Sequence, residues 1–167
     1  MSIDFGGKEM PTGFFDFDLP LERPKWYIYL LYTACGAVMA GVLNFLVNIT
    51  GLVGEPSFNE AATGLLNASD HIAVLIVLYC IATPFIEELL FRYFIFNLLL
   101  KYTKRAALSV VVCAVLFGLY HINPLQMAYG FIMGLVITYA YYRHRVLTIP
   151  FLMHAVANAV ALAFSFL

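Results

Sequence analysis

The chain has 167 residues, 63% of them hydrophobic and 11% charged, with a net charge of −1 and a mean hydropathy of +0.88. A soluble domain of this length could not bury so much apolar surface, so the composition indicates an all-α, multispan transmembrane bundle with about five or six membrane helices. The charges cluster at segment ends without a basic stripe, which excludes nucleic acid as a partner, and Cys35, Cys80 and Cys113, odd in number and without CxxC or metal-type spacing, read as buried, inert thiols.

Residues 1–25 mix acids, bases, Gly and Pro and lack the apolar core of a signal peptide. They are expected to form a polar segment outside the membrane, with Phe14, Phe15 and Phe17 dipping into the interface. Residues 26–167 are expected to form one transmembrane domain. Its first span is 26–50, anchored by Trp26, Tyr27 and Tyr29, and a polar loop, 51–70, follows. The next apolar stretch, 71–100, would be about 45 Å long as a helix against a hydrocarbon core of about 30 Å. It must tilt strongly or break, and Pro84 is the candidate break because it lacks a backbone donor and clashes with the preceding turn. Spans at 106–122, 125–142 and 147–167 complete the bundle. Gly130 and Gly134 form a GxxxG, and Ala155, Ala159 and Ala163 a small-residue stripe, both suited to close helix packing.

Basic residues orient these spans. Lys8, Arg23 and Lys25, then Lys101, Lys104 and Arg105, then Arg143 and Arg145 mark one side, while the 51–70 and 122–124 connections contain none. The positive-inside rule then puts the N-terminus in the cytoplasm of a cell-membrane protein and the C-terminus outside, after five crossings if the long stretch crosses once.

Inside the spans a few polar residues remain. Glu87, Glu88 and Arg92 sit in the apolar stretch TPFIEELLFRYFIFNLLL, where each ionised group costs about 2.5 to 3.5 kcal/mol unless it is paired or functional. Counted from the nearest basic residue, Glu88 lies about 20 Å deep, His121 about 24 Å and His154 about 14 Å. Three helices can therefore deliver Glu, His and His to one intramembrane pocket. Glu88 and Arg92 are four apart and share a helix face, which makes them an ion pair and leaves Glu87 as the freer carboxylate and the candidate general base. His154 and Asn158 share a face by the same spacing and suit the stabilisation of an oxyanion. His121, four residues after Phe117, is placed to orient the water that Glu87 activates.

These residues resemble the motifs of a known family, the CAAX protease and bacteriocin-processing (CPBP, or Abi) intramembrane proteases, which include the type II prenyl-CAAX endopeptidases. The EExxxR motif is matched by Glu87, Glu88 and Arg92, FxxxH by Phe117 and His121, and HxxxN by His154 and Asn158, in the family's order, over about residues 71–165. The resemblance implies a metal-independent glutamate protease with no cofactor. In it Glu87 and His121 activate water, His154 and Asn158 stabilise the oxyanion, and Glu88 with Arg92 gives support. The implied partners are membrane lipid and a peptide or protein substrate, small or lipidated. With one span before the motif region, where prenyl-CAAX proteases generally carry more, the chain departs from a strictly prenylated substrate. Two other readings fit the same residues: a zinc-dependent protease using Glu87, His121 and His154 as ligands, though no HExxH is present, and a non-enzymatic immunity, scaffold or partner-binding membrane protein, or a small proton-coupled carrier.

Overall fold

The computed structural model of the protein describes residues 23–50 and 71–165; the polar N-terminal segment up to residue 22 and the 51–70 loop lie outside the described residues. Those described are all helical, without a strand. Five helices follow in chain order: α1 (Trp26–Ile49), α2 (Ile72–Thr103), α3 (Ala106–Tyr120), α4 (Pro124–His144) and α5 (Thr148–Phe164). Two of them, α1 and α2, are long and apolar enough to cross a membrane. By contrast α3 and α5, apolar but with 15 and 17 residues, extend only about 22 and 25 Å. Much of the apolar surface faces outward, as with Leu30, Leu31, Val38 and Phe45 of α1, which suits a lipid solvent rather than water.

Local chemistry sets the helix ends. Asn123 caps α4, its side-chain oxygen accepting from the backbone N–H groups of Leu125 at 3.0 Å and Gln126 at 3.1 Å, and Pro124 opens the helix where no donor is needed. Both α2 and α4 stop at a basic residue in the left-handed region, Lys104 (φ 51°) and Arg145 (φ 54°). Each donates its backbone N–H four residues back, to Leu100 and Tyr141, closing the helix in the manner usually left to glycine.

α2 does not break at Pro84. It runs as one helix of 32 residues. Continuity comes from π-winding over Ile76–Ala82 and again over Leu89–Phe96. Cys80, four residues before Pro84, lies in the first widened stretch, so the proline ring escapes its usual clash with that residue's carbonyl. Widened turns also free carbonyls for side-chain donors: Phe91 O accepts from the Cys113 thiol of α3 at 3.2 Å, and Tyr93 O from the amide of Asn97 on the same helix at 2.7 Å.

Two apolar clusters meet at α4. One joins Phe91 and Phe96 of α2, Val110 and Phe117 of α3 and Tyr141 of α4. The other joins Ala40 of α1, Met133 and Ile137 of α4 and Met153 and Ala157 of α5. Glycines set the closest approaches. A methyl group on Gly134 would lie 3.1 Å from the Phe117 ring and 3.3 Å from Ala114 Cα, and one on Gly118 would lie 2.8 Å from Met127 O, so α3 and α4 pack nearly backbone to backbone. A methyl on Gly36 would lie 2.7 Å from Met153 O, giving α1 and α5 a similar contact. The expected alanine stripe of α5 takes no such part, because Ala159 and Ala163 are exposed; Ala157, on the neighbouring face, is buried in its place.

Candidate active site

Between α2, α3, α4 and α5 lies a cavity of about 100 Å³, room for several waters. Glu87, Phe117, His121, His154 and Asn158 line it, together with Tyr79, Thr83, Gln126, Tyr129 and Gly130. The four residues expected to converge from three separate segments therefore share one cavity.

Glu87 and Glu88 follow one another on α2 but turn to different neighbours. Glu88 is fully buried, and its Oε1 accepts from Arg92 at 2.9 Å, the pair expected from their spacing. The same oxygen lies 2.7 Å from Nδ1 of His154, a contact that local spacing could not reveal. A carboxylate oxygen only accepts, so Nδ1 carries the proton, and Nε2 of His154 points at Glu87, 3.5 Å from Oε2. Glu87, 6% exposed, is the carboxylate that lines the cavity.

Arg92 is held from a second side by Phe117, whose ring centroid lies 4.4 Å from the guanidinium carbon. Phe117 also meets Phe91, His121 and His154 edge to face, at centroid separations of 5.0, 5.1 and 5.6 Å. It is thus the packing centre of the site, a role that its place in the sequence, four residues before His121, did not disclose. Glu88 Oε2 and Arg92 Nε and NH2 are buried without a partner among the described residues.

His121 was expected on the helix beside Phe117; it stands just past the end of α3, in extended backbone geometry. Its Nδ1 lies 2.9 Å from Phe117 O. A carbonyl cannot donate, so Nδ1–H is the donor and Nε2 is left free. The ring thereby caps one of the orphan carbonyls of the α3 terminus. A methyl on Gly130 would come within 3.3 Å of Nδ1, so the glycine of α4 gives the imidazole its room. Asn158 donates from Nδ2 to the backbone carbonyl of Tyr79 at 2.8 Å. Among the described residues, no group of three or more His, Cys, Asp or Glu side chains is placed to hold a metal ion.

The family model described as type II CAAX prenyl endopeptidase, Rce1-like, matches residues 69–160, more than half of the chain. The chain belongs to this Rce1-like family. The matched segment contains every residue of the three motifs and omits α1. Membership implies a membrane-embedded protease, hence a hydrolase acting on a peptide or protein. No curated protein and no solved structure matches the chain.

Proposed function

We propose that this Rce1-like protein is an intramembrane endopeptidase that hydrolyses a peptide bond of a small or lipidated polypeptide, using water activated by Glu87. The observation that carries the reading is the shared cavity, in which the Glu87 carboxylate, the His121 and His154 imidazoles and the Asn158 amide, contributed by α2, the end of α3 and α5, meet. Glu87 takes a proton from the water, whose oxygen forms a bond to the scissile carbonyl carbon. Nε2 of His121, the free nitrogen, accepts a hydrogen bond from that water and fixes its direction. Negative charge then develops on the carbonyl oxygen, and His154 and the amide of Asn158 supply donors for it. Glu87 returns the proton to the amine as the C–N bond breaks.

Glu88 and Arg92 support the site in this scheme. Glu88 holds the His154 ring, and Arg92 neutralises Glu88. The chain is a single transmembrane domain, with its N-terminus in the cytoplasm and five crossings of the cell membrane.

Peptide cleavage by purified protein in liposomes tests the reading. Glu87→Gln is expected to abolish turnover while leaving the thermal unfolding transition in place; unchanged turnover in that variant rejects Glu87 as the base. Wild-type activity is expected to survive prolonged chelation. Loss that is restored by added zinc would instead make the water a metal-bound one.

A further inference from the structure

Tyr79 and Pro84 are five residues apart, the spacing at which a π-turn sets acceptor and donor. Proline has no N–H, so the Tyr79 carbonyl lacks the donor that the winding of Ile76–Ala82 assigns to it. The backbone N–H of Thr83, one residue earlier, goes to Leu78 O. An unpaired carbonyl in an apolar interior is costly, and Asn158 of α5 satisfies it through Nδ2 at 2.8 Å. The second N–H of that amide remains for the cavity, which Asn158 lines beside Glu87 and His154. The χ2 torsion of an asparagine is broad when unconstrained; a fixed acceptor behind the amide selects one orientation.

We infer that Pro84 is a positioning residue of the hydrolytic site: by withholding an N–H it keeps the Tyr79 carbonyl free to clamp the Asn158 amide in the orientation that serves the scissile carbonyl. The inference rests on Asn158 acting as an oxyanion donor. Any other residue at position 84 supplies an N–H that competes for Tyr79 O and loosens its hold on the amide.

The test combines kinetics with a readout independent of turnover. Pro84→Ala is expected to lower kcat about 10- to 100-fold, to leave KM nearly unchanged, and to leave Tm unchanged or higher, since alanine is the better helix former. In an Asn158→Ala background the same substitution should cost nothing further. Placing the α-hydroxy acid analogue of alanine at position 84, which has an ester oxygen in place of the N–H, should restore kcat. Additive losses, or no recovery with the ester, overturn the clamp. In infrared spectra of protein carrying ¹³C=¹⁸O at Tyr79 alone, Asn158→Ala should raise the carbonyl frequency when residue 84 is proline and leave it unchanged when it is alanine. Equal shifts in both backgrounds also overturn the clamp. The expected spectra with undiminished turnover in Asn158→Ala support the clamp and overturn the oxyanion reading, so the two failures are told apart.

Discussion

His154 donates from Nδ1 to Oε1 of Glu88 at 2.7 Å, across 66 residues of chain. Because that oxygen also receives Arg92, one carboxylate ties α5 to α2 and sets the plane of the imidazole that faces Glu87. Glu88 thus touches His154 and Arg92, whereas Glu87 lines the cavity directly.

Glu88→Gln separates these roles. The amide preserves volume but leaves the Arg92 guanidinium buried without its counter-ion, and removing one partner of a buried pair costs about 3 to 5 kcal/mol. A lowered Tm in detergent together with lost cleavage is expected, whereas Glu87→Gln loses cleavage alone. Equal stability of the two variants would show that Glu88 is not the structural member.

Phe117→Leu removes the ring from beneath Arg92 and from between the two imidazoles. The cation–π contact contributes about 0.5 to 2 kcal/mol and each aromatic pair about 0.5 to 1.5 kcal/mol. Stability should fall by a few kcal/mol, and the ¹⁵N signals of His121 and His154 should broaden as the rings gain freedom. Sharp, unshifted signals would remove Phe117 from the centre of the site.

Gly130→Ala places a methyl 3.3 Å from His121 Nδ1. The ring must shift, so kcat should fall several-fold with little change in Tm. The control is Gly41→Ala, whose methyl meets nothing within 4 Å. There the change should leave turnover intact and stabilise α1 by about 0.5 to 1 kcal/mol, the usual helix-interior difference between the two residues.

The proposed orientation can be read from labelling in a cysteine-free background. Ile122, 95% exposed in the connection after α3, should react as Ile122→Cys with an impermeant maleimide added outside intact cells. Lys104→Cys should react only after the membrane is opened. The reverse pattern would invert the bundle.

Helix positions were legible because hydropathy and turn residues are local signals. The expected spans match the five helices to within a few residues at most ends, and the i, i+4 spacing found the Glu88–Arg92 pair. The fate of Pro84 was not legible, since proline signals a break only when the helix keeps its α-helical winding. Nor were the bonds from Glu88 to His154 and from Asn158 to Tyr79, which join residues 66 and 79 apart and exist only once α5 packs on α2. The alanine stripe misled because small side chains permit close packing without specifying which face receives it.

α1 lies outside the segment matched to the family, yet its Gly36 rests against the backbone of Met153, the residue before His154. A helix that the family match does not cover thus presses on the neighbour of a cavity-lining imidazole. Under the proposed function, a substitution in α1 that alters this contact would reach the site through α5 and change rate or selectivity while all three motifs stay intact. Relatives identical at every motif position need not be interchangeable, and the difference between them would be written in a helix that no motif covers.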